Sequence, residues 1–158
     1  MSGTDRFLRE IESAIGQELA AISRLRAEAG GELAKGAPNS RVLGSVLHDF
    51  YTCCERVFKR VASEINGAHY QGDAWHKELL FRMTIPVDGV RPALISDDLA
   101  AELDEYLSFR HVFRNIYGFE LKGERVVRLS ASLDRVGLRF EQEVRAFLRA
   151  LLPGDGSP

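Results

Sequence analysis

The stretch SRVLGSVLHDFYTCCERVFKRVASEIN, residues 40–66, decides the fold. Its apolar side chains Leu43, Val46, Leu47, Phe50, Cys54, Val57, Phe58, Val61 and Ile65 recur every three or four positions. That is the period of one face of an α-helix, whereas a half-buried strand would alternate. The spacing predicts a helix over residues 40–66, stopped by Gly67, because glycine readily takes the left-handed conformation that ends a helix.

The same period continues on both sides. Upstream, Thr4 is placed to cap a helix through about residue 29, with Phe7, Ile11, Ile15, Leu19, Ile22 and Leu25 inward and Asp5 favourable in its first turn. Gly30, Gly31, Gly36 and Pro38 are expected to break the chain. Downstream, Asp73 caps a shorter helix carrying Trp75, Leu79, Leu80 and Met83, and Pro86, Gly89 and Pro92 make residues 84–95 a loop. Ser96 caps the next helix, with Asp97 and Asp98 in its first turn, running to about Tyr117; Gly118 or Gly123 ends that region. A last helix over about residues 130–152 turns Leu133, Val136, Phe140, Val144, Phe147, Leu148 and Leu151 inward. There is no convincing alternating segment and no internal repeat. Long helices on short connections read as an all-α, antiparallel bundle of four to five helices.

The 158 residues fit one domain, with an ordered core over about residues 4–152. Such a chain buries enough surface to need neither disulfide nor metal. Cys53 and Cys54 are the only cysteines and diverge by about 100° on a helix, so they read as packing residues. No apolar leader and no run of 18 apolar residues occurs, so a membrane role is not expected and a cytoplasmic location is. The net charge of −2 excludes a generic polyanion binder, but residues 106–158 carry net +3 and residues 1–105 net −5.

The basic end contains YLSFRHVFRNIYGFEL, residues 106–121. With Arg110 at zero on a helical projection, Phe109, Val112, Phe113 and Ile116 fall at roughly 200–300° and read as the buried arc. Arg110, Arg114 and Tyr117 fall within about 60° of one another on the opposite side, with His111 and Asn115 beside them at roughly 100° and 140°. Two guanidiniums, an imidazole, an amide and a phenol on one exposed face suit a phosphodiester. The arginines could grip it by charge-assisted bonds, and histidine could move a proton near neutral pH. Arg and His are common on solvated helix faces, and spacing alone fits that reading better.

The same stretch is similar to the HepT-like branch of the HEPN superfamily, whose motif is an Arg, often followed by a polar residue, then a His four to six positions on and a Tyr two beyond it. Arg110 matches the Arg, His111 the polar position and Tyr117 the Tyr, while Asn115 stands where His is expected. Residues 45–62, 73–80 and 91–96 extend the likeness, which covers about residues 40–150. The resemblance implies a compact helical bundle, usually a homodimer. It implies a metal-independent endoribonuclease toxin needing no cofactor, neutralised by a minimal nucleotidyltransferase antitoxin that can adenylylate the motif tyrosine, here Tyr117. RNA would be its substrate or ligand. Arg110, His111, Arg114 and Asn115 are then the candidate catalytic residues, and His48 and Tyr106 candidate linings of the same cleft. Asn115 cannot transfer protons at neutral pH. Either His111 takes that role, or the chain is an inactive module that binds a nucleotide or a partner.

Elsewhere, His48 with Asp49 and Glu55 makes a second polar group that reads more naturally as core or interface, and His76, after Trp75, reads as capping or packing. His69 is expected in a loop. No metal-binding signature and no phosphate-binding glycine-rich loop is present.

Overall fold

The computed structural model describes residues 2–65, 67, 75–115 and 123–152, without the side chains of 114 and 115. Five α-helices make up these residues: α1 (Gly3–Leu33), α2 (Ser40–Arg60), α3 (Trp75–Arg82), α4 (Asp97–Asn115) and α5 (Gly123–Leu151). The all-α class is as expected; among the described residues the only β feature is an isolated bridge between Val87 and Arg91.

Helix α1 begins earlier than the sequence suggested. Ser2, not Thr4, is the cap: its hydroxyl accepts from the Asp5 N–H at 3.1 Å while the Asp5 carboxylate accepts from the Ser2 N–H at 3.2 Å. The helix also runs through Gly30 and Gly31 to Leu33. Burial of Ala29 and Glu32 outweighs the modest cost of glycine in a helix. The Glu32 carboxylate receives the Asn39 N–H at 2.8 Å and Lys35 Nζ at 2.7 Å, closing the turn into α2. Asn39 then caps α2 through the N–H groups of Arg41 and Val42.

Helix α2 is the centre of the bundle and packs on α1, α3, α4 and α5. Its predicted stripe is buried from Leu43 to Val61. A π-helical turn over Val61–Ile65 extends it, and Gly67 sits at φ 69°, the left-handed stop that was expected.

The loop before α4 is held by Arg91. Its buried guanidinium donates to the carbonyls of Ile85, Pro92 and Arg82. Ser96 caps α4 by accepting from the Leu99 N–H, and Glu143 of α5 accepts from both the Ser96 N–H and hydroxyl. The last helix starts at Gly123, several residues before the predicted Ser130, and buries Val126 and Leu129 on the way.

Both cysteines are packed as predicted. Burial, then the neighbouring Glu18, pushes the Cys53 thiol up to about 12, and burial pushes Cys54 well up too. Neither thiol should therefore alkylate at about pH 8 in the native protein, and both should react once it is unfolded. Rapid native labelling, followed by mass spectrometry, would contradict this packing.

Candidate functional site

The buried face of α4 runs through Leu99, Leu103, Tyr106 and Phe109. Leu99, Leu103, Tyr106 and Arg110 are separated by four, three and four residues, the spacing of a helix–helix seam. Arg110 therefore lies on the core side. It is 4% exposed, which corrects the expectation of an exposed ridge carrying Arg110. The predicted buried arc needs the matching correction: Phe109 is buried and Phe113 half-buried, but Val112 is 41% exposed.

A guanidinium cannot be neutralised by deprotonation and must be paired when buried. Glu55, one turn beyond Tyr51 on the facing helix α2, supplies the partner: Arg110 Nη2 donates to Glu55 Oε2 at 2.9 Å. Arg110 Nη1 donates to Thr52 Oγ1 at 3.3 Å, and that hydroxyl donates in turn to the His48 carbonyl at 3.0 Å. The guanidinium carbon lies 4.8 Å from the centroid of the Tyr51 ring, in cation–π range. Burial, and then the charge of Glu55, pushes the Tyr51 hydroxyl well above its ordinary value.

His76, on the first turn of α3, completes the cluster. Its Nδ1 is 2.7 Å from Glu55 Oε2 and 3.1 Å from Arg110 Nη2. Arginine can only donate, so Nδ1 could accept from it only if unprotonated, and its lone pair would then face a carboxylate oxygen at the shorter distance. The shorter contact assigns the proton to Nδ1, with Glu55 accepting. Neutral His76 is then left with a basic Nε2 across the ring. The His76 side chain is 30% exposed. Its ring lies tilted by 31° against that of Trp75 with centroids 3.6 Å apart, and Lys59 Nζ sits 4.5 Å from the centroid of the indole.

The other predicted site residues are dispersed. His111 is exposed on α4. His48 is half-buried, with Nδ1 3.2 Å from Asp49 Oδ1 and its ring 5.8 Å from that of Phe113. Tyr106 is a core residue, not a cleft lining: it is buried, packs edge-on against Phe50, and donates its hydroxyl to the Leu129 carbonyl at 2.8 Å. Arg114 and Asn115 lie in the last turn of α4 with their side chains outside the described residues, and Tyr117 lies outside them altogether. Among the described residues no group of three His, Cys, Asp or Glu side chains could hold a metal ion, and no helix is long and apolar enough to cross a membrane.

The sequence profile of the family described as HepT-like protein matches residues 42–151. The chain belongs to the HepT-like family. HepT-like proteins fall within the HEPN superfamily and are generally part of toxin–antitoxin modules. No curated protein matches the chain. The matched span of this HepT-like chain runs from the first turn of α2 to the end of α5, hence takes in Glu55, His76 and Arg110 together, whereas α1 precedes it.

Replacing Arg110 by Met should strand the buried Glu55 carboxylate and cost about 3 kcal/mol in urea unfolding. Adding Glu55→Leu should return most of that loss. A single-variant loss near the roughly 0–1 kcal/mol of an exposed ion pair would show that the pair is not buried in solution.

Proposed function

We propose that this HepT-like chain is the RNA-directed toxin of a toxin–antitoxin module, a metal-independent endoribonuclease of the cytoplasm. A minimal nucleotidyltransferase would neutralise it by placing AMP on Tyr117. The observation that carries the reading is the convergence of Arg110, Glu55 and the partly exposed His76 on one carboxylate oxygen, inside the span that matches the family. A buried ion pair is weak evidence for stability, since apolar residues of similar volume often serve as well.

In this reading Arg110 positions the cluster and Arg114 is the phosphate contact, while Asn115 orients substrate. Proton transfer falls to an imidazole, His76 or His111, because an amide cannot supply it. A homodimer would bring two such sites into one cleft. The cleavage is attack of a ribose 2′-OH on its own phosphate, giving a 2′,3′-cyclic phosphate and a free 5′-OH.

A second reading, a binding module without cleavage, is favoured by the engagement of Arg110 with Glu55 and Thr52, which keeps that guanidinium from a phosphate unless the pair opens. Incubating the purified protein with RNA in the presence of a chelator separates the two. Cyclic-phosphate ends whose yield falls at least about 100-fold in Arg110→Ala support the ribonuclease. Retention of RNA without any cleavage supports the binding module instead.

A further inference from the structure

We propose that His76 is the proton-transfer residue of this site, held in register by Glu55; the inference rests on the ribonuclease reading above. Three features of its surroundings suit a general base. The Nδ1–H bond to Glu55 at 2.7 Å fixes both the tautomer and the ring plane, so Nε2 keeps its lone pair in the neutral form. The same carboxylate stabilises the imidazolium that appears once a proton is taken up, as the acid does in a carboxylate–histidine pair. The 30% exposure of the side chain leaves the residue within reach of a substrate.

The charges around it are complementary to a phosphodiester. From α2 come Glu55 and Lys59, the latter over the indole against which the His76 ring lies. From α4 come Arg110, on the same carboxylate oxygen, and Asp104, which is paired with Lys77 of α3 at 3.5 Å. Glu55 is shared between Arg110 and His76, and the Lys59 ammonium over the indole adds a positive charge beside them that favours an anion.

The step balances without a co-reactant. Neutral His76 takes the 2′-OH proton at Nε2 as the 2′-oxygen bonds to the adjacent phosphorus. The bond from phosphorus to the 5′-oxygen breaks, and the departing 5′-oxygen receives the proton from the imidazolium through water. The histidine ends neutral, beside a 2′,3′-cyclic phosphate and a 5′-OH. Asn115 has no part in moving the proton.

The test is the rate of cyclic-phosphate formation from a short RNA oligonucleotide between about pH 5 and 8, where histidine titrates. In the native protein the rate should rise with pH over this range, as general-base catalysis by a neutral imidazole requires. In H76Q it should fall at least about 100-fold near neutral pH and lose that rising limb, while filter binding of the same RNA changes little. Should H76Q lose its thermal melting transition, E55Q carries the test. Without the carboxylate that orients the ring, cleavage near neutral pH should fall at least about 100-fold while RNA binding holds; undiminished cleavage by a folded E55Q overturns the proposal. A limb that survives in H76Q but vanishes in H111Q overturns it and leaves the ribonuclease standing. Absence of any cleavage by the native protein overturns both.

Discussion

A guanidinium in the seam between two helices is tolerable only against an opposing charge, and the rest of the site is organised by Glu55 answering Arg110. The 2.9 Å contact joins residues 55 apart in sequence, across α2 and α4. It requires one axial offset between the helices, because a slip by a turn would leave two buried charges unpaired. Tyr51 and Thr52, one turn before Glu55, then meet the guanidinium face-on and at its second nitrogen. The apolar stripe of α2 makes the bundle, and this polar contact selects its register.

The second consequence concerns α3. This helix has eight residues and buries only Leu79 and Leu80 within its bounds, a small apolar contribution. His76 ties its first turn to the carboxylate already fixed by Arg110, Trp75 lies against its ring, and Lys59 sits over the indole. The group that anchors α3 is thus the group left partly open to solvent. Packing and chemistry meet in one residue.

Most of the architecture was legible in the sequence. The period of Leu43 to Ile65 specified the central helix, and Gly67 and Ser96 marked boundaries that the structure keeps. Boundaries set by tertiary burial were less legible: Gly30 and Gly31 sit inside α1, and α5 begins at Gly123. The phase of α4 was misread for a specific reason. Its last turns, taken alone, place Phe109, Val112 and Phe113 inward and Arg110 outward. The longer series Leu99, Leu103, Tyr106 points the other way and carries Arg110 into the seam. Reading that series would also have asked for an acid on the facing helix, where α2 offers Asp49 and Glu55. Nothing local to DAWHKELL announces His76, because its partner lies 21 residues away on another helix.

The account turns on one shared carboxylate oxygen, and the state of the imidazole on it can be observed directly. Nitrogen-15 NMR of protein labelled at histidine, recorded at alkaline pH where imidazoles are neutral, distinguishes a protonated Nδ1 from a protonated Nε2. The geometry predicts the proton on Nδ1, lost to a mixture of tautomers in Glu55→Leu. A neutral His76 protonated at Nε2 in the native protein would mean that Glu55 does not hold it, and the arrangement of the site would have to be abandoned.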